Sequence, residues 1–308
     1  MGTSLSVDTL PMATVMVLAA GYGSRLRPLT EERPKALVPV GDVPAIAHLI
    51  RQLRAQLGNS RILANAHHQS GELVSFLSSY DPTLIVLVEP EILGTAGGLR
   101  GALDHLDEGP LLVVNTDVIS KPNYREILQF VTDDGIVLGI QRKPAGQGPL
   151  GIGAQGRVVR LRGERVGTEI SGGDYLGVAA LGRQVASQLP LRGCLVGDFL
   201  LPLLRAGACI ETVEVQGEWF DIGTLHNYAK ANRAWLLERN LEAWVGPSCA
   251  VPVGIQLKET LLGQGTRLSG SGLIQRVIAW PSADVRAPLR DAVVTSTGRI
   301  VPISEGPS

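Results

Sequence analysis

The chain has 308 residues, 44% of them apolar and only 19% charged, enough to bury a sizeable core and to fill one large or two modest domains. Its 28 basic and 29 acidic residues leave a net charge of −1, which excludes a general electrostatic attraction to nucleic acid or to anionic membrane. No apolar run approaches the roughly 20 residues of a membrane span, and Met1 to Thr14 lack the basic-then-apolar order of a signal peptide. A cytoplasmic protein with a flexible tail over residues 1–13 is therefore expected, and any phosphate it binds must be caught locally.

From Thr14 onward, short apolar runs alternate with helical patterns. Val15–Leu18, Arg61–Ala64, Leu84–Val88, Leu111–Val114 and Ile136–Ile140 are apolar on both faces and predict buried strands. Between them Ala45–Leu57, Glu72–Ser79, Gly98–Leu106 and Asn123–Val131 carry helix-compatible spacing. Such alternation predicts an α/β fold with a Rossmann-like, mainly parallel sheet and helices on both faces. Ligands in that architecture gather at the carboxyl ends of strands. Pro144 to Gly177 is glycine-rich and less regular, which suits an inserted antiparallel lobe or a long substrate loop. A last long helix is expected after Thr224, whose hydroxyl can cap it, running through Trp235 toward Trp244.

After Gly246 a weak repeat appears at a spacing of 17 residues. Val245–Val251, Leu262–Leu268 and Ala279–Val285 align, each with apolar or small ends around a turn-prone centre; Lys258–Leu262 and Gln275–Ala279 repeat at the same interval, and Arg290–Val294 nearly does. This texture resembles a short left-handed parallel β-helix. The expected division is a domain over 14–244 and a β-helix-like domain over 245–308. Cys194, Cys209 and Cys249 are odd in number and lack a C-x-x-C pair, so they are expected to be small buried residues in a reducing compartment rather than disulfide partners or zinc ligands.

The strongest chemical signal is Leu18-Ala19-Ala20-Gly21-Tyr22-Gly23-Ser24-Arg25-Leu26-Arg27-Pro28, directly after a predicted strand. A glycine-rich turn lets backbone N–H groups approach phosphate oxygens without interference from Cβ atoms. No third glycine stands at the Rossmann spacing, and the Walker A order is absent. With Pro34-Lys35-Ala36-Leu37-Val38-Pro39, the segment resembles the signature of the nucleotidylyltransferases that activate sugar 1-phosphates. That resemblance implies an enzyme joining a nucleoside triphosphate to a sugar 1-phosphate. Leu18, Ala19, Ala20, Gly21, Gly23 and Ser24 would wrap the nucleotide, Arg25 would hold the departing pyrophosphate, and Lys35 would sit against the reacting phosphates.

Three further blocks follow in the family's order. Glu89-Pro90-Glu91-Ile92-Leu93-Gly94-Thr95-Ala96-Gly97-Gly98 resembles a loop at the nucleobase and sugar pocket, which assigns Gly94 and Thr95 to the nucleotide. Asn115-Thr116-Asp117 ends a predicted strand, where a carboxylate is well placed for a hard cation. The family usually has glycine before this aspartate, and Thr116 can narrow the pocket or add a hydroxyl contact. Trp219-Phe220-Asp221-Ile222-Gly223-Thr224 resembles the segment whose aspartate is the partner metal ligand, so the resemblance implies magnesium on Asp117 and Asp221. The family's sugar-phosphate lysine is missing. Leu161-Arg162-Gly163-Glu164-Arg165 stands in its region, and Arg165 with Gly177 is expected to take the sugar phosphate, Arg162 or Arg142-Lys143-Pro144 being alternatives. Asn65-Ala66-His67-His68 stands at another strand end and can approach the pocket, but no third ligand at zinc spacing accompanies the histidines.

The chain is similar to mannose-1-phosphate guanylyltransferases, the preferred expectation, and to N-acetylmuramate or hexosamine 1-phosphate uridylyltransferases. A nucleotide-sugar-binding regulatory subunit without activity is the alternative from another class. An acyltransferase tail is disfavoured, because no histidine follows His226. The tail is expected to act as a lid or as the contact of a homo-oligomer. Nucleic acid and membrane are not expected as partners.

Overall fold

A computed structural model describes residues 12–304, and of the expected tail over 1–13 only Met12 and Ala13 fall within them. The chain divides into two compact units: one holds the described residues up to Gly21 with Ile50–Thr116 and Ser120–Glu218, the other holds Tyr22–Leu49, Asp117–Ile119 and the described residues from Trp219 onward. No helix among the described residues is long and apolar enough to cross a membrane.

The first unit is built on a 10-stranded sheet. The strands Leu111–Asn115, Thr14–Leu18, Ile62–Ala66 and Ile85–Val88 run parallel in that order. Val15, Met16 and Leu111 to Val113 are at most 1% exposed, as continuous apolar runs require when a strand is covered on both sides. Ile210–Glu214 also pairs parallel, with Ile136–Lys143, but the other strands correct the expectation of a mainly parallel sheet. Ser171–Leu181 pairs antiparallel with Leu111–Asn115, with Ile136–Lys143 and with Leu150–Ile152, and Val158–Leu161 and Glu164–Arg165 continue the edge antiparallel. The short links joining Leu150–Ile152, Val158–Leu161 and Glu164–Arg165 leave no room for a crossover, so these three consecutive strands pair antiparallel as hairpins. The sheet is therefore mixed, and the irregular stretch is an antiparallel lobe of it.

Helix Ala45–Leu57 has the expected bounds, and Ser70–Tyr80 extends its expected core by a few residues. The element expected over Gly98–Leu106 is instead a helix over Gly94–Arg100 followed by a 3-10 turn over Leu103–His105. Asn123 caps Tyr124–Gln129 by accepting the Glu126 N–H at 3.2 Å. None of the three cysteines is fully buried: Cys209 is exposed and Cys194 and Cys249 are half-buried, contrary to expectation. Cys209 lies in the turn between helix Leu201–Arg205 and strand Ile210–Glu214, where a side chain meets water.

In the second unit Thr224 caps helix Leu225–Leu237, accepting the Asn227 N–H at 3.3 Å. The helix stops short of Trp244 because Asn240 turns left-handed at φ 53° and the Leu241 N–H returns to the Leu236 carbonyl. Its buried face, with Tyr228 and Trp235, shares one core with Leu26, Leu29, Val38, Leu261, Ile278 and Trp280. Two polar groups inside that core satisfy each other, while Trp235 Nε1 is buried there without a hydrogen-bond partner. Trp280 Nε1 donates to the Tyr228 hydroxyl at 3.1 Å, which donates to the Pro39 carbonyl at 2.6 Å.

The tail forms a six-stranded sheet, and the repeat seen in the sequence is its pairing register. Ala243↔Thr260, Leu261↔Ile278 and Arg267↔Asp284 pair in parallel at an offset of 17 residues. Past Gly270 the register shifts and Ile274 meets Leu289, which is why Arg290–Val294 only nearly repeats. Ser248, Gly265 and Ser282 turn the corners at that spacing, with φ of 60°, 69° and 63°. The last strand, Ile300–Pro302, closes the sheet antiparallel against Asp284–Val294.

Candidate functional site

In the first unit, the strand Thr14–Leu18 ends where the glycine-rich segment starts. The Leu18 carbonyl accepts the Thr116 hydroxyl at 2.9 Å and the Thr116 N–H at 3.3 Å. Thr116, 7% exposed, thus spends its hydroxyl on the backbone beneath the loop and adds no contact to a pocket. The N–H groups of Ala19 and Ala20 donate to Asn65 Oδ1 at 2.7 and 3.3 Å. They are not available to phosphate, so N–H donors for a triphosphate must come from the backbone after Ala20. A Cβ on Gly21 would meet no atom within 4 Å, so open space lies against that part of the loop.

Gly94 and Thr95 begin a helix whose first turn is pinned to the 193–195 turn. The Ala96 N–H donates to the Gly193 carbonyl at 2.8 Å, and Thr95 Oγ1 accepts the Leu195 N–H at 2.6 Å. Gly177, at φ 68°, sits in the irregularity of strand Ser171–Leu181 between Tyr175 and Val178, and a Cβ there would stand 2.8 Å from Asn115 Cβ. Only glycine fits both the left-handed backbone and that approach, and such bulges re-aim side chains beside functional sites.

The cations expected to replace the missing lysine are all engaged. Arg165, 55% exposed, donates to Glu169 Oε2 at 3.1 Å. Arg162 donates to Cys194 Sγ at 3.3 Å, and so reaches the turn that holds Gly94 and Thr95. Lys143 pairs with Asp174 at 2.5 Å, and Arg142 with Glu214 at 3.2 Å. Glu169 is the anchor of this lobe: the Arg160 guanidinium first, then the Gly146 N–H, hold its carboxyl at about 2 against an ordinary 4.5. A depressed carboxyl stabilises the fold fully above about pH 4.5, and that contribution is lost as pH falls toward 2. Glu169→Gln is expected to flatten the pH dependence of urea unfolding within this window, and identical acid limbs for the two proteins would contradict the assignment.

The second unit carries the charged residues. Gly23 turns left-handed, with its carbonyl held by Thr30 Oγ1 at 2.9 Å, and Ser24–Leu26 follow as a 3-10 turn that leaves the Arg25 side chain 62% exposed. Lys35, only 12% exposed, donates from Nζ to Asp117 Oδ2 at 2.8 Å. Asp117 and Asp221, 104 residues apart, are brought together by backbone pairing: Asp221 lies opposite Val118 in a short antiparallel ladder, and the Ile222 N–H donates to the Asp117 carbonyl at 2.9 Å. Arg25 approaches Asp221 Oδ2 at 3.4 Å, while Asp221 Oδ1 accepts the Gly223 N–H at 2.8 Å. The result is two carboxylates on neighbouring extended segments, 30% and 32% exposed, each beside one cation.

This donor set fits a hard divalent cation of the magnesium type, which takes one or two carboxylates and completes its shell with phosphate oxygens and water. Lys35 engages one oxygen of Asp117, and the carboxylates keep exposed surface for a metal. Among the described residues no cluster of three or more His, Cys, Asp or Glu stands at metal-binding distance, so most of the shell would come from the substrate and water. Asn65, placed by the sequence at a strand end, and Glu89, at the head of the second block, contact each other beneath the glycine-rich segment, a pairing that neither motif shows alone.

The family described as nucleotidyl transferase matches residues 14–238. A mannose-1-phosphate guanylyltransferase 1 of Arabidopsis thaliana is 31% identical over 236 residues, covering 72% of this chain and 64% of that protein. A mannose-1-phosphate guanyltransferase of Yarrowia lipolytica is 30% identical over 250 residues, covering 76% and 68%. Among solved structures, HddC from Yersinia pseudotuberculosis superposes with a TM-score of 0.62 at 21% identity, over 73% of this chain and 100% of HddC. At that identity the likeness concerns the fold alone.

Proposed function

The chain belongs to the nucleotidyl transferase family, and on that premise we propose that it joins a sugar 1-phosphate to a nucleoside triphosphate and releases pyrophosphate, with mannose 1-phosphate and GTP as the preferred pair. The observation that carries this reading is the cluster of Lys35, Asp117, Arg25 and Asp221, whose members come from three separate motifs. Two fixed cations beside two carboxylates match a reaction in which negative charge moves but no proton has to.

An oxygen of the sugar phosphate attacks the α-phosphorus in line. The new O–P bond forms as the bond to the β-phosphate bridging oxygen breaks, and pyrophosphate leaves with the electron pair. The attacking phosphate is already ionised near neutral pH, so no general base is needed, and catalysis reduces to positioning and charge compensation. Lys35, held by Asp117, is placed for the α-phosphate, where charge builds in the transition state. Exposed Arg25 takes the departing pyrophosphate, and the open face at Gly21 admits the triphosphate to the loop. Asp117 and Asp221 would hold magnesium, which when bound supplies charge neutralisation to the triphosphate. Gly94 and Thr95 take the nucleoside, and Gly177 with Arg165 or Arg162 takes the sugar phosphate.

The same reading assigns 14–244 to the transferase domain and 245–308 to a short left-handed β-helix, supported by the parallel 17-residue register. It places the protein in the cytoplasm as a homo-oligomer formed through that tail. Guanine and mannose rest on the names of the relatives. They are tested by initial rates over GTP, UTP, ATP and dTTP, each with mannose, glucose, N-acetylglucosamine and N-acetylmuramate 1-phosphates. The highest kcat/KM for GTP with mannose 1-phosphate is expected; a preference for UTP with an N-acetylated sugar would replace that pair.

A further inference from the structure

Asn65 is 4% exposed at the end of strand Ile62–Ala66, and Glu89 is 9% exposed just past Ile85–Val88. Asn65 Oδ1 accepts the N–H groups of Ala19 and Ala20 at 2.7 and 3.3 Å, while its Nδ2 donates to Glu89 Oε1 at 2.7 Å. The other carboxylate oxygen of Glu89 accepts the Leu93 N–H at 3.5 Å. These partners fix which way the amide points: two N–H groups require its oxygen, and a carboxylate requires its nitrogen. Helix Gly94–Arg100 closes over the pair through Gly98, where a Cβ would stand 2.6 Å from Asn65 Nδ2 and 2.8 Å from Glu89 Oε1. All of these residues belong to the first unit.

A carboxylate and an amide are costly to bury, and an apolar pair would fill these two strand ends more cheaply. What the polar pair does that an apolar pair cannot is hold two loop backbones at once. One arm grips Ala19 and Ala20, the other reaches the entry to Gly94 and Thr95, and from the opposite flank Thr116 holds the Leu18 carbonyl.

We propose that Asn65 and Glu89 are positioning residues that set the spacing between the Leu18–Gly21 segment and the Leu93–Thr95 loop, so that nucleotide affinity depends on the pair and the transfer step does not. This rests on the reading of both loops as nucleotide-binding. Neither residue touches the reacting atoms.

The test exchanges donor and acceptor. In Asn65→Asp a second carboxylate faces Glu89 and the bracket opens; in the double variant Asn65→Asp/Glu89→Gln the new carboxylate still accepts Ala19 and Ala20, and the new amide donates to it. The loss of one hydrogen bond to a charged group predicts a KM for the nucleoside triphosphate raised roughly tenfold in Asn65→Asp. The kcat and the KM for the sugar 1-phosphate are expected to stay within about twofold, and the double variant to return to within about threefold of the native KM. An unchanged nucleotide KM in Asn65→Asp, a loss confined to kcat, or a double variant no better than the single one would overturn the proposal. Should Asn65→Asp fail to fold, Glu89→Ala, which removes the acceptor of Asn65 Nδ2, is expected to raise the same nucleotide KM with kcat kept within about twofold, and an unchanged nucleotide KM there would overturn the proposal. Hydrogen exchange at the Ala19 and Ala20 amides separates this proposal from the reaction itself. Protection lost in the single variant and regained in the double supports the bracket even if no substrate pair reacts, and protection unchanged in Asn65→Asp refutes it.

Discussion

Lys35→Ala and Asp117→Ala are each expected to lower turnover by about a hundredfold or more, the scale of removing a key electrostatic donor from an active site. The geometry makes the two residues one device. Lys35 is 12% exposed and its Nζ lies 2.8 Å from Asp117 Oδ2, so the ammonium is held in place before substrate arrives. Such a cation loses little reorganisation energy when charge develops beside it. Removing Asp117 releases Lys35 and, on the proposed reading, deletes the carboxylate assigned to the metal as well, so the double variant should be little worse than Asp117→Ala. Circular dichroism and thermal unfolding identify variants that retain the fold. Near-normal turnover in both folded single variants would remove these residues from the mechanism.

The second large effect concerns stability. Removing residues 245–308 is expected to prevent the second unit from folding, because Leu261, Ile278, Trp280, Val293 and Val301 fill one core with Leu26, Leu29, Tyr228 and Trp235. A tail that served only as a detachable appendage would leave that core intact, whatever contact its outer surface makes with a second copy. The graded form of the experiment is Trp280→Ala, which deletes a side chain 1% exposed and the donor to the Tyr228 hydroxyl. It should cost about 3–5 kcal/mol in urea unfolding, the range for large-to-alanine changes in cores. A loss below about 1 kcal/mol, together with a folded and active truncated chain, would show the tail to be dispensable.

Much of this was legible from local chemistry. The parallel strands Thr14–Leu18, Ile62–Ala66 and Leu111–Asn115 announced their burial as unbroken apolar runs, whereas Ile85–Val88 carries the same texture but is an edge strand that is only half-buried, with Val88 exposed. Thr224 showed as a hydroxyl ahead of a helical pattern, and the tail register as a 17-residue spacing that reappears as Leu261↔Ile278. The resemblance to the nucleotidylyltransferase signature named Lys35, Asp117, Arg25 and Asp221, and in the structure Asp221 pairs beside Asp117 while Lys35 and Arg25 each reach one of the two carboxylates. What escaped was set by partners distant in sequence. The antiparallel strands within 144–177 are two to four residues long, too short to show a period. The end of the last helix depends on Asn240 turning left-handed, which its pattern of apolar residues does not encode. The Ala19 and Ala20 N–H groups looked available to phosphate because nothing near them in sequence competes, whereas Asn65 arrives from another strand. The union of the tail with Leu26 and Leu29 is likewise a packing fact, made between residues more than two hundred positions apart.

Phosphorus NMR of the purified protein with magnesium, GTP and mannose 1-phosphate follows transfer at the α-phosphorus to the sugar phosphate. Nucleoside diphosphate-sugar and pyrophosphate are expected to accumulate in equal amounts, only when both substrates are present. Nucleoside monophosphate with pyrophosphate, or diphosphate with inorganic phosphate, formed without the sugar phosphate would mark a hydrolase and contradict the account.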